Sequence, residues 1–193
     1  MKKVIVVYYE EDPEAIAKCK MDCRYVWEEH VNLISRAITS VMAELKDISA
    51  IQDQLTINCK NIGNLLMPFY SMADASKLAN LILEHANLGA KVILAVKNGK
   101  DTSDLQAASL TNGKAIATFL STLDPDNWPY DTLLDAWKSH LDCTEAQANA
   151  RYVEDWTADL IAYEGCRSGI ITIADCMADG ITNKFPDKFV KYH

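Results

Sequence analysis

An all-α protein is the fold class the sequence predicts, and three features predict it. Apolar residues recur at helical spacing through most of the 193 residues. The seven Gly and five Pro are few, which disfavours loop-rich β-sandwiches and disordered linkers. Only one β-branched run, Val4 to Val7, reads as extended, and a single strand cannot make a sheet.

The elements follow in order. Lys3 to Tyr9 is read as an extended arm, residues 1–12, that docks on its own bundle or on a second copy of the chain. Asp12-Pro13 starts the first helix, with Asp as N-cap and Pro at the first helical position. Cys19, Cys23, Trp27, His30, Ile34 and Val41 then share one face, which carries the helix over 13–46. Ser49 is placed to cap a second helix, 50–67, which Pro68 stops. Ser71 or Asp74 opens a third, 72–98, closed by Asn98-Gly99. Thr102 or Ser103 opens a fourth, 103–122. A loop through Pro125 and Pro129 leads to a short fifth helix, 130–141, capped by Asp131. Asp142 with Glu145, or Thr144, opens a sixth helix that Gly180 ends. The tail is irregular and packed by Phe185 and Phe189. Short turns imply antiparallel neighbours, hence an up-down bundle of about six helices.

An internal repeat organises these helices. Trp27-Glu28-Glu29-His30, Ile82-Leu83-Glu84-His85 and Trp137-Lys138-Ser139-His140 align, and the three histidines are spaced by 55 residues each time. Asn58-x-Lys60 parallels Asn112-x-Lys114 at an offset of 54. The unit is a helical hairpin, over 13–69, 72–122 and 130–180 of one domain, and such hairpins must stack to bury their apolar faces. The simplest packing is a four-helix bundle with the third hairpin against its side.

Composition bounds the function. A net charge of -8 argues against nucleic acid and against anionic membranes, since both need clustered Lys and Arg. No segment reads as a ~20-residue apolar span or a leader peptide, so a cytoplasmic protein is expected. The six cysteines form no C-x-x-C pair and are expected to be reduced, partly buried thiols. No P-loop, G-x-G-x-x-G or G-x-S-x-G is present, and no reaction follows from the residues. Trp27, Trp137 and Trp156 read as core aromatics, and Gly165 and Gly169 as sites of close helix packing.

The histidines are the candidate site. His30 and His85 lie on parallel helices at equivalent positions, where they can face each other across the core, with Asn61, Asn64 and Asn112 at nearby levels. His140 is their counterpart in the third hairpin. Bundle cores hold Fe, Mn or Zn through inward His and carboxylates. His30, His85 and His140, with the adjacent Glu29 and Glu84, are therefore the candidate metal ligands. Adjacent residues point about 100° apart on a helix, so Glu29 and His30 share one ion only with local bending. The Glu-x-x-His pair of di-iron sites is absent. The other reading makes these histidines buried hydrogen-bonding residues of a structural or interaction protein. A homodimer is the simplest assembly.

Trp27-x-x-His30-Val31-x-Leu33-x-x-Arg36, Asn61-Ile62-Gly63-Asn64, Leu83-Glu84-His85, Pro125-x-x-Trp128 and Gly180-Ile181-x-x-x-Phe185-Pro186 together resemble a family of bacterial helical proteins. Members of it often carry glycosyltransferase or acetylglutamate kinase names. Both of those activities use α/β folds, which this chain does not predict. The pattern is more faintly similar to ferritin-like and haemerythrin-like bundles, a resemblance that implies metal in the core.

Overall fold

A computed structural model describes residues 9–192. It is all-α, with six helices: α1 (Pro13–Met42), α2 (Ile48–Asn64), α3 (Met72–Lys97), α4 (Ser103–Leu123), α5 (Tyr130–Tyr152) and α6 (Trp156–Lys184). A short 3-10 turn, Pro186–Lys188, follows. The run Lys3 to Tyr9 lies almost wholly outside the described residues. Its last residue begins β1 (Tyr9–Glu11), which pairs antiparallel with β2 (Val190–Tyr192), Glu10 opposite Lys191. The tail is thus not merely irregular: it supplies the partner strand. Lys191 Nζ lies 3.2 Å from Asp12 and 3.5 Å from Glu14, tying the two ends of the described chain together.

The caps show why the helices start where they do. Asp12 Oδ1 accepts from the Glu14 and Ala15 amides, at 3.1 and 3.3 Å. Ser71 and Asp74 form a reciprocal capping box at the start of α3. Replacing Ser71 with Ala is expected to cost about 1 kcal/mol, read as a lower urea midpoint with unchanged slope.

Several boundaries differ from the sequence expectation, among them the end of α2, which falls at Asn64 and not at 67. Helix α1 stops at Met42, not 46, because Glu44 turns left-handed (φ 55°) and Leu45 N donates back to Ser40 O. Ser49 lies inside α2, which begins after Asp47; Ser40 Oγ donates to the Asp47 carboxylate at 2.7 Å. Helix α5 runs through 141–144 to Tyr152, since Thr144 Oγ1 donates to His140 O within the helix rather than capping a new one. The break falls at left-handed Glu154, after which Asp155 accepts from Ala158 N. Gly180 lies inside α6 and serves close packing instead: a Cβ there would meet Trp128 Nε1 at 2.1 Å. Gly169 has open space beside it, and Trp156 is exposed beneath Arg151, so neither plays the part the sequence suggested.

Packing is a closed ring. Each helix touches the next, and α6 returns to α1 instead of leaving the third hairpin on the side of a four-helix bundle. Arg24 helps close it, giving both Nε and Nη2 to the Asp175 carboxylate of α6 at 2.7 Å. Inside the ring α1, α3 and α5 each contact the other two. The core has two apolar parts. One contains Trp27, Ile62, Leu78, Ile82, Trp137 and Ile173; the other contains Ile34, Ile38, Ile51, Leu55, Ile93 and Val96. Helix α3 is long and apolar enough to cross a membrane by length and composition, at mean hydropathy 1.2 over 18 residues. In this fold it is an inner helix packed against α1, α2, α4 and α5.

Candidate metal centre

Each inner helix carries one histidine at the same depth. His30, His85 and His140 are all buried, and one ring nitrogen from each lies within 4.8 Å of the other two. The ring centroids are 6.0 Å (His30–His85), 6.5 Å (His30–His140) and 5.3 Å (His85–His140) apart. Trp137 packs edge-on to His85 and His140, and Trp27 to His30. The sequence anticipated His30 facing His85. That His140 joins them follows from the ring closure, which brings α5 against both α1 and α3.

The hydrogen-bond inventory is lopsided. His30 Nδ1 pairs with Asn58 Oδ1 at 2.9 Å. Asn58 is itself held, donating Nδ2 to Val26 O and to Glu29 Oε2 at 2.9 and 3.0 Å. With Nδ1 as the donor, His30 Nε2 keeps its lone pair. That nitrogen is buried without a hydrogen-bond partner, as are His85 Nδ1 and both nitrogens of His140. Buried polar atoms are ordinarily paired, so four orphans in one cluster need an explanation.

The rings are electrically neutral at pH 7. Burial pushes His30 down to about 4, partly opposed by its bond to Asn58. Burial likewise lowers His140 to about 3, helped by repulsion from His30. His85 is held well below the ordinary 6.5 by burial and then by its two histidine neighbours. Three neutral imidazoles offer three lone pairs.

The remaining candidates are placed differently. Glu84 is exposed on the outer side of α3, about 100° around the helix from His85. Glu29 is half-buried and reaches the cluster only through Asn58. Neither belongs to the group gathered within 4.8 Å, which is His30, His85 and His140. Asn61 and Asn64 point outward, whereas Asn58 and Asn112 are buried. Asn112 Nδ2 donates to Leu81 O at 3.1 Å, the counterpart of Asn58 on Val26 O, and its Oδ1 is unpaired. The 54-residue spacing of the two asparagines was the signal for this inward pair.

A cavity of about 470 Å³ opens beside the cluster, lined by His85, His140, Ile34, Val92, Leu110 and Glu145 among others. The cysteines bring a correction: Cys143 and Cys166 form a disulfide between α5 and α6, with Cα atoms 5.4 Å apart, while Cys19, Cys23, Cys59 and Cys176 are free. Both sulfurs lie within 4.8 Å of a His140 ring nitrogen. Compared with family models, curated proteins and solved structures, the chain finds no match.

Proposed function

We propose that the protein binds one divalent transition-metal ion through His30 Nε2 and one ring nitrogen each of His85 and His140. The observation that carries this reading is the set of four orphaned imidazole nitrogens in a buried cluster. A merely structural histidine would use its nitrogens in hydrogen bonds, as His30 Nδ1 does. Tetrahedral coordination at ~2.0–2.1 Å needs ligand nitrogens about 3.3 Å apart, so rotations of the rings within the 4.8 Å cluster suffice. Three imidazoles without a carboxylate suit zinc better than manganese or iron, which favour added oxygen ligands. Asn58, braced by Glu29, acts as the outer partner that fixes the His30 tautomer. The three-hairpin repeat supports the reading too, because it delivers one ligand per hairpin. The adjoining cavity gives the open coordination position access to water or a small ligand.

The test is elemental analysis of untagged protein grown with Fe, Mn and Zn. About one equivalent of metal per chain is expected. His85→Ala should weaken binding by more than the ~10–100-fold that Asn58→Ala costs, and His30→Ala/His85→Ala should abolish it. Stoichiometric metal in that double variant would remove these residues as ligands. Metal-free wild-type protein that takes up no added ion would return the histidines to a structural role.

A further inference from the structure

We infer that reduction of the Cys143–Cys166 disulfide creates a second metal site, His140-Cys143-Cys166, that competes with the tri-histidine site for His140. Three observations carry this. Both sulfurs already lie within 4.8 Å of a His140 ring nitrogen, so the three donors are gathered before any reduction. Both His140 nitrogens are buried without a partner, and the residue is 1% exposed. The third hairpin also departs from the other two at one telling position. Cys166 stands 54 residues after Asn112, which stands 54 after Asn58. Where hairpins one and two carry a buried amide beside the histidine-bearing helix, hairpin three carries a cysteine sulfur.

The chemistry balances as a thiol–disulfide exchange. A dithiol reductant attacks one sulfur, the S–S bond breaks, and the reductant closes to its own disulfide. Two electrons and two protons pass to Cys143 and Cys166. Cys143 is the half-buried residue of the pair, Cys166 being buried, so its sulfur is the one attacked. Its cover is thin, since Gly165 opposite it has no side chain and a Cβ there would meet only Cys143 Cβ, at 3.9 Å. A divalent ion then displaces one proton from each thiol to solvent and binds two thiolates and one imidazole. Thr144 Oγ, 3.7 Å from Cys166 Sγ, stands beside the thiolate that forms. Two thiolates with imidazole suit zinc and its spectroscopic stand-in cobalt.

Competition follows from the donor itself. A neutral imidazole has one lone pair, so His140 serves one ion at a time. The oxidised chain offers the tri-histidine set; the reduced chain offers a thiolate set that draws His140 away. This second site shares a residue with the proposed metal centre but does not depend on that centre being occupied.

Cobalt(II) titrations of untagged protein, oxidised and after dithiol reduction, test the idea. The reduced protein should show a near-ultraviolet thiolate-to-cobalt band that the oxidised protein lacks, at one ion per chain in both states. The Cys143→Ser/Cys166→Ser variant should lose the band. In His30→Ala/His85→Ala the band should survive reduction. Cobalt bound to the reduced wild type without the band, a band that persists in the double-serine variant, or two ions per reduced chain would each overturn the proposal. Cobalt bound only in the reduced state would leave this site standing and sink the tri-histidine reading instead.

Discussion

Metal-free protein is expected to lose several kcal/mol of stability as the pH falls from 6.5 to 4.5. The cause is the buried histidine cluster. His30 and His140 titrate at about 4 and about 3 in the fold, and His85 well below 6.5. Unfolded, each returns to about 6.5. Between those values the unfolded chain binds protons that the folded chain refuses, so stability rises with pH. It is fully present above 6.5 and is lost on the way down to the folded values. Each ring that stays neutral to pH 4.5 contributes about 2.5 kcal/mol of this dependence. The Glu29 carboxylate, which reaches His30 through Asn58, favours the charged ring and only partly offsets the burial. Paired carboxylates such as Asp175 and Asp12 are held below the usual range, so their contribution falls mainly at lower pH. Urea midpoints at pH 6.5, 5.5 and 4.5 measure the effect, and His85→Met should make the pH dependence shallower. A flat profile over this window would mean that the rings are not buried as described.

Gly63→Ala is expected to be strongly destabilising, costing about 3 kcal/mol or preventing folding. Gly63 lies where α2 crosses α3. An added Cβ would come to 2.4 Å from Ala75 O, 2.7 Å from Ala79 Cβ and 2.9 Å from Ala79 N. Two of these neighbours are backbone atoms, so relief requires the helices to move apart, and α3 carries His85. Gly169→Ala is the internal control. Nothing lies within 4 Å of its new methyl, and a helical Gly→Ala change should stabilise by about 0.5–1 kcal/mol. Thermal melts of the two variants should therefore move in opposite directions. Equal melting temperatures would show that the α2–α3 approach is not tight.

Much of the fold was legible because its signals are local. The helical spacing from Ile16 to Val41, the Asp12-Pro13 start and the Ser71/Asp74 box depend on residues within a few positions of each other, and the helices form where those signals stand. The boundary between α5 and α6 was misplaced because Thr144 has two uses for one hydroxyl. From sequence it reads as a cap; in place it bonds back to His140 O and lets the helix continue. Gly180 misled in the same way, because a glycine that ends a helix and one that admits a tryptophan are the same letter.

By itself the sequence determined that three histidines recur every 55 residues on helices of the same direction, and that Glu29 and Glu84 stand beside two of them. Only the tertiary structure decided which groups meet. Ring closure by α6 on α1 sets α1, α3 and α5 in mutual contact, and that three-way contact converts an equal spacing along the chain into an equal depth in the core. It leaves Glu84 facing solvent, sets Asn58 between Glu29 and His30, and brings Cys166 of α6 up to His140, which already has Cys143 one turn along its own helix. Periodicity specifies the face on which a side chain lies. What stands opposite that face depends on contacts between residues more than 100 positions apart, such as Arg24 with Asp175, which no local pattern encodes.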